Sequence, residues 1–194
     1  MNDLYNKDEI YILGELKDSD KRAVAIVGSR EPTERGKKLA YDFAYYLAGH
    51  GITVVSGLAR GVDTLAHGAA LDVGGRTIAV LGTPIDRIYP AENKNLANEI
   101  TKSGAVVSLK PAGVTTYPSD FKVRNGLIVK LSKAVLVIEG KRRSGTISTA
   151  NHAGNEGVEV FAIAGSEATD YLIENGATAV QSPMEIVDYL NNQL

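Results

Sequence analysis

The chain has 194 residues, of which 44% are hydrophobic and 23% are charged, and its formal net charge at pH 7 is −2. This mix is typical of a folded globular protein, and the length suits one α/β domain. The absence of cysteine excludes disulfides, thiolate–metal sites and a cysteine nucleophile. A net charge of −2 argues weakly against nucleic acid as a partner, so the distribution of charge is more informative than its sum.

The start of the chain predicts no membrane association. Residues 1–20 are expected to form a short helical or loose lead-in, and residues 21–194 a single domain. The segment after Met1 is polar and acidic, without the basic stretch and apolar run of a signal peptide. No apolar run approaches the roughly 20 residues that span a bilayer. We therefore expect a cytoplasmic protein.

Short runs rich in Val and Ile alternate with helical patterns along the rest of the chain. Strands are predicted at Val24–Val27, Ile52–Val55, Thr77–Leu81, Ala105–Ser108, Ala134–Ile138, Glu159–Ile163 and Ala177–Gln181. Helices are predicted at Glu34–Ala48, Val62–Val73, Asn93–Lys102, Val123–Leu131, Thr146–Glu156 and, capped by Ser182, Pro183–Leu190. Nearly continuous apolar strands are typical of parallel strands buried on both faces. The pattern predicts an α/β fold with a Rossmann-like, doubly wound, mostly parallel sheet and helices on both faces.

Charge is separated along the chain. Residues 109–143 carry eight basic and two acidic side chains, a net charge of +6. Residues 144–194 carry seven acidic side chains and no Lys or Arg, a net charge of −7. Such a separation indicates a local site for anions, and the alternative is a surface distribution without function.

Ligands of open α/β sheets bind beyond the carboxyl ends of the strands, so the residues that follow the strands are the first candidates. After the first predicted strand, Gly28 allows close approach of a ligand, Ser29 offers a hydroxyl and Arg30 offers a fork for phosphate. After the predicted strand Ala134–Ile138, the cationic run Lys141–Arg143 precedes a predicted helix start.

That helix start holds Ser144, Gly145 and Thr146, and helix N–H groups, dipole and cations together favour an anion there. A solvated basic loop is the alternative.

Two further segments are weaker candidates. Gly57, Arg60 and Gly61 follow the second predicted strand and form a possible anion cradle, or the glycines make only the turn. Arg124 and Asn125 begin a predicted helix and combine a guanidinium with an amide, a pair suited to phosphate or a base edge.

Phe121 precedes these residues and is a possible stacking platform, although such a residue more often packs in a core. Asp63 and His67 lie one helical turn apart, and we expect them to pair.

Other site types lack support in the sequence. The dinucleotide fingerprint is broken at its second and third glycine positions by Arg30 and Thr33, and no P-loop or nucleophile-elbow motif occurs. The three histidines do not show the spacing of a zinc site. We therefore expect no metal, no cofactor and no catalytic constellation.

Several motifs in order closely resemble the Rossmann core of the DprA/Smf (DNA-processing protein A) family, from about residue 23 to residue 166. They are Val24–Arg30, Ser56–Asp63 with Ala66 and His67, Gly75–Gly82, Ile88–Pro90 with Glu92 and Asn93, Phe121 with Arg124 and Asn125, and Ser144–Ala150. Each motif alone is weak, whereas the combination is specific.

The resemblance implies a homodimeric protein that binds single-stranded DNA and helps to load a RecA-type recombinase during natural transformation. It also implies a DNA pocket lined by Ser29, Arg30, Arg124, Asn125, Ser144 and Gly145, with Lys141 added for its charge. The chain departs from the family pattern at Gly126, where the family usually has Arg, and at Leu109, Lys122 and Ala164.

Two other hypotheses about the function stay open. A nucleotide-binding sensor, or an enzyme of the LOG type that processes nucleoside monophosphates, is the main alternative. Thr149 occupies the position of the LOG catalytic Glu, which disfavours the enzyme. A partner-binding domain that uses the acidic last third of the chain is the other alternative.

Overall fold

A computed structural model describes residues 10–193. The strands are β1 (Tyr11–Gly14), β2 (Ala23–Val27), β3 (Thr53–Ser56), β4 (Thr77–Leu81), β5 (Ala105–Ser108), β6 (Ala134–Val137), β7 (Glu159–Ala162) and β8 (Thr178–Ala179). The helices are α1 (Glu34–Gly49), α2 (Val62–Asp72), α3 (Lys94–Ser103), α4 (Asp120–Lys130), α5 (Gly145–Asn155), α6 (Glu167–Glu174) and α7 (Pro183–Asn191).

All eight strands form one sheet in the order β1-β5-β4-β3-β2-β6-β7-β8. Every neighbouring pair is parallel except β1 and β5, which are antiparallel. From β2 the chain adds strands on one side as far as β5, and then returns to place β6 on the other side. The β2–β6 junction is therefore the topological switch point, where a crevice forms at the carboxyl ends of the strands.

Helices cover both faces of the sheet, as the continuous apolar character of the strand sequences predicts. Val24 and Ile26 of β2 pack in the cluster that includes α1, α2 and α7. Ala25 and Val27 point the opposite way and pack in the cluster that includes α4 and α5. This alternation of one strand between two cores confirms the predicted Rossmann-like fold.

Two elements were absent from the sequence prediction. Residues 11–14 form the edge strand β1, whereas a helical or loose lead-in was expected; the expectation for residues 1–9 lies outside the described residues. The side chains of this strand are apolar on both faces and exposed, so they show no alternation of polar and apolar residues that would predict a strand. Only the pairing with β5 defines it. The helix α6 has only eight residues and begins at the Ser166 N-cap, whose hydroxyl accepts from the backbone N of Thr169.

The N-cap predicted for the last helix is confirmed, because Ser182 Oγ accepts from the backbone N of Met184 at 3.2 Å. Between residues 10 and 193 no helix combines the length and apolar character that a membrane crossing requires.

Candidate functional site

A cleft of about 1030 Å³ opens at the switch point between β2 and β6. Segments 28–31 after β2 and 140–146 after β6 form two of its walls, and α4 and α5 contribute the others. Nine of the twelve predicted site residues line it: Gly28, Ser29, Arg30, Arg124, Asn125, Lys141, Ser144, Gly145 and Thr146. The fold thus brings three distant segments of the sequence to one crevice.

The wall after β2 lies close to the segment after β6. Ser29 N donates to the carbonyl of Glu139 at 2.8 Å. A Cβ on Gly28 would lie 2.7 Å from Val62 Cγ2 and 3.0 Å from that same carbonyl, so a side chain there would force the two segments apart. Arg30 follows with an exposed side chain. Glycine therefore allows the close packing that places Arg30 at the cleft.

The wall after β6 ends at the N-terminus of α5, where Ser144 is the N-cap residue. Its hydroxyl does not cap the helix, and Ser144 Oγ is a buried side-chain oxygen without a hydrogen-bond partner among the described residues. Arg142, just before it, lies over the ring of Tyr171 at 4.4 Å, a cation–π contact that orders this loop. An unpaired hydroxyl beside free helix N–H groups is an arrangement that suits an anion.

The cleft carries an excess of positive charge. Six of its lining residues are Lys or Arg and two are acidic, namely Glu31 and Asp63. A further carboxylate, Glu139, lies near the cleft. It accepts hydrogen bonds from Thr33 N at 3.0 Å and from Thr33 Oγ1 at 2.6 Å, and Thr33 is the N-cap residue of α1. The exposed cations are consequently available to a ligand, and the field at the cleft favours an anion.

The floor of the cleft is a buried charge network centred on Arg124, which is 8% exposed. Arg124 Nη1 donates to the carbonyls of Gly57 at 2.5 Å and Val80 at 2.8 Å, and Nε donates to Asn125 Oδ1 at 3.1 Å. Burial lowers the pKa of Arg124, and the nearby Asp63 opposes that shift. Much of this guanidinium is therefore used to join α4 to the ends of β3 and β4.

Asp63 is the anionic partner in this floor. Its Oδ2 accepts from the backbone N of Gly57 at 3.1 Å and of Ala59 at 3.2 Å, which fixes the turn after β3. Burial raises the pKa of the Asp63 carboxyl, and the charge of Arg124 opposes that shift. The sequence analysis predicts only a pairing of Asp63 with His67, whereas in the structure Asp63 organises the turn after β3.

The remaining three predicted residues lie away from the main cleft. Gly57 and Arg60 line a smaller cavity beside it, and Gly61 lines neither. Arg60 forms a bidentate ion pair with Glu92, with both N–O distances at 2.9 Å. Gly61 has a φ of 75°, and a Cβ there would lie 2.4 Å from the carbonyl of Ser29. These contacts make Arg60 and Gly61 parts of the support of the cleft.

The expected pairing of Asp63 with His67 is wrong. His67 is fully buried, and its Nδ1 lies 2.6 Å from Thr77 Oγ1. Thr77 Oγ1 in turn donates to the carbonyl of Val54 at 2.7 Å, so Nδ1 carries a proton and donates to the hydroxyl. Side chains one turn apart on a helix are close enough to pair, but other contacts can direct them apart. Here the Asp63 carboxylate points to the floor of the cleft, where it accepts from Gly57 N.

The sequence analysis did not predict that the side chains of α5 beyond its N-terminus line the cleft. Polar residues of α5 line the cleft at Ser148, Asn151, His152 and Asn155. Their spacing of three or four residues places them on one face of a helix, and this is the signal that would have revealed them. Lys122 of α4 also lines the cleft. Within residues 10–193 no group of three or more His, Cys, Asp or Glu side chains is arranged to hold a metal ion.

Comparison with known proteins decides the family. Residues 6–191 match the profile of the family described as DNA recombination-mediator protein A. The chain belongs to the DNA recombination-mediator protein A family. It is 41% identical to Protein Smf of Escherichia coli over 188 residues, which are 93% of this chain and 50% of that protein. The resemblance to the DprA/Smf family is thereby confirmed.

Two solved structures of DNA processing protein A are similar to this member of the family. The protein from Streptococcus pneumoniae superposes with a TM-score of 0.88 at 37% identity, over 96% of this chain and 71% of that one. The protein from Helicobacter pylori, described as having a unique single-stranded DNA binding mode, gives a TM-score of 0.88 at 29% identity over 98% and 91% of the two chains. The chain spans about half the length of the curated relatives it matches.

Proposed function

We propose that this protein binds single-stranded DNA in the cleft between β2 and β6 and does not catalyse a reaction there. The observation that carries the proposal is the convergence of exposed cations from three segments on one crevice, namely Arg30, Lys122 and the run Lys141–Arg143. Phosphate contacts of this kind dominate the affinity of proteins for single strands. The DNA-binding relative from Helicobacter pylori supports the same ligand.

The roles of the twelve predicted residues differ under this proposal. Arg30, Lys141, Ser144, Gly145 and Thr146 contact phosphates, because they border the open cleft at its loops and at the N-terminus of α5. Gly28 and Ser29 bring their backbone to the same crevice.

Arg124, Asn125, Gly57 and Gly61 hold the cleft in shape, since their polar groups or backbone contact other parts of the protein. Arg60 supports the adjacent wall through its ion pair with Glu92.

At the level of the whole protein, we propose a part in DNA processing and recombination during natural transformation, in the cytoplasm, as a homodimer that hands single strands to a RecA-type recombinase. Membership of the family of recombination mediators supports this role.

The enzymatic alternative has weak support. Thr149 is 2% exposed, and its hydroxyl donates to the carbonyl of Gly145 at 3.3 Å within α5. This is the position at which LOG-type enzymes need a carboxylate. A protein that only senses a nucleotide would use the same anion site, and free nucleoside monophosphates would then compete with oligonucleotides at equal or lower concentration.

Fluorescence anisotropy with a labelled oligothymidylate tests the proposal. We expect binding that weakens steeply with salt, and Arg30→Ala should lose about 1.5–3 kcal/mol of binding free energy. It should also reduce the slope of log K against log salt by about 0.7, the value for one phosphate contact on a single strand.

Lys102→Ala is the matched control. Lys102 is an exposed cation paired with Glu99 in the last turn of α3, at the end of the sheet opposite the cleft. Its loss should leave affinity unchanged. Absence of salt-sensitive binding by the unaltered protein would reject the proposal, and equal losses in both variants would reject the cleft as the site.

A further inference from the structure

A second, smaller cavity adjoins the cleft and shares four lining residues with it, namely Arg30, Ala59, Phe121 and Arg124. Its far wall is formed by Tyr89 and Pro90, which precede α3. The two depressions thus adjoin at Arg30, so a phosphate held by Arg30 in the cleft lies beside the smaller cavity. Chemistry at this second position differs from that of the cleft, because aromatic rings are present.

Tyr89 is 54% exposed, and its ring meets the ring of Phe121 edge-on, with centroids 6.0 Å apart and an interplanar angle of 66°. Phe121 can cover at most one face of the Tyr89 ring, so at least one face has no aromatic partner in the described part of the chain. Phe121 is itself fixed against the end of β4, since a Cβ on Gly82 would lie 2.6 Å from its ring. A fixed ring with a free face beside a cationic groove is the arrangement on which unpaired bases stack.

The segment that carries Tyr89 is held in place by polar contacts. Glu92, three residues further on, forms the bidentate ion pair with Arg60. Asn93 Nδ2 donates to the carbonyl of Leu58 at 2.9 Å and to Thr64 Oγ1 at 2.8 Å. Because these bonds tie the segment to the turn after β3, the Tyr89 ring is presented by a fixed support.

The size of the cavity determines where a base lies. Its volume is about 30 Å³, which is room for a water molecule but not for a nucleobase. A base therefore covers the mouth and stacks on the exposed face of Tyr89, while its phosphate meets Arg30, which borders both depressions.

We propose that Tyr89 is a stacking platform for one unpaired base, adjacent to the phosphate held by Arg30, in a subsite specific for single strands. The proposal rests on the proposed function and adds a base contact to it. Stacking is tolerant of sequence, because every base has a π-face, so the subsite selects unpaired strands over duplexes without reading their sequence.

The test compares two oligomers of equal length, an oligothymidylate and a fully abasic deoxyribose-phosphate strand, at low salt, where phosphate contacts sustain binding. Tyr89→Ala should weaken thymidylate binding roughly five- to hundred-fold, the loss expected for one stacked base, and should leave abasic binding within about two-fold. Tyr89→Phe keeps the ring and should restore thymidylate binding. Arg30→Ala should weaken both strands.

Tyr45→Ala is the matched control, since Tyr45 is 43% exposed and lies about 16 Å along α1 from its cleft end. It should bind both strands as the unaltered protein does. An independent readout uses the absence of tryptophan from the chain. A single tryptophan introduced by Tyr89→Trp should be quenched by oligothymidylate, and one introduced by Tyr45→Trp should not.

The outcomes separate the two claims. If the unaltered protein binds neither strand, the proposed function and the subsite both fail. If it binds thymidylate but Tyr89→Ala binds equally well, or loses affinity equally for both strands, DNA binding stands and the stacking subsite is overturned.

Discussion

His67 makes the stability of this protein depend on pH. The imidazole is fully buried, its Nδ1 donates to Thr77, and its Nε2 has no hydrogen-bond partner among the described residues. Protonation of Nε2 would place a positive charge in this buried site and add an N–H group that has no hydrogen-bond acceptor. Burial, and to a smaller extent the charge of Arg124, lowers the pKa of His67 from 6.5 to about 3.

The direction of the effect follows from linkage. Between pH 6.5 and 3 the unfolded chain binds a proton on this imidazole and the folded chain does not, so stability falls as the pH falls. At pH 5 the difference amounts to about 2 kcal/mol, and it approaches about 5 kcal/mol near pH 3. For a chain of this size, 2 kcal/mol lowers Tm by roughly 4–8 °C.

Thermal unfolding of the unaltered protein and of His67→Asn, measured from pH 7 to pH 5, tests this reasoning. The asparagine amide can donate to Thr77 as Nδ1 does, but it does not titrate. We expect His67→Asn to be less stable at pH 7 and to lose less Tm on acidification. Equal Tm losses in the two proteins would refute the assignment of the pH dependence to His67.

Four other variants test the residues that support the cleft and the fold. Arg124→Met leaves the Asp63 carboxylate buried without its cation, so urea unfolding should show a loss of about 3–5 kcal/mol. Asp20 forms a mostly buried ion pair with Arg76 at 2.8 Å, so Asp20→Asn should cost about 3 kcal/mol in the same assay. Gly61→Ala should destabilise by more than about 1 kcal/mol because of its positive φ, whereas Gly126→Ala, in a helix with open space around it, should gain up to about 1 kcal/mol. The opposite signs of the two glycine variants make each the control for the other.

Most of the fold was predictable because its signal is local. Strands such as Val24–Val27 are apolar throughout, and crossover helices such as Glu34–Gly49 carry an apolar stripe, so pattern alone identifies a parallel α/β sheet. The strand Tyr11–Gly14 depends instead on a partner about ninety residues away, and nothing in four exposed residues specifies it. Sequence patterns predict least well the short strands and helices that form only through contacts with distant parts of the chain.

The candidate site was predictable in location but not in the division of roles. Topology brings Arg30 and Arg124 to one crevice, as the rule of strand ends indicates. Their burial differs, however: Arg30 is exposed, whereas Arg124 is buried and donates to two backbone carbonyls. Both residues carry the same guanidinium in the sequence, and only the packing distinguishes the exposed Arg30 from the buried, hydrogen-bonded Arg124.

The net charge of −2 is compatible with the proposed binding of DNA in the cleft, and three carboxylates at helix N-termini show how acidic groups are used away from it. Glu139 caps α1 through Thr33, Glu185 accepts from the backbone N of Ser182 at the start of α7, and Asp170 accepts from the backbone N of Gly165 before α6. Each carboxylate stabilises a helix N-terminus and lies within the partial positive charge there. Within residues 10–193, the exposed cations at the cleft have no such internal role, apart from the contact of Arg142 with Tyr171. At physiological ionic strength, charges more than about 8 Å apart are largely screened, so a phosphate in the cleft responds to these nearby cations and not to the sum over the chain.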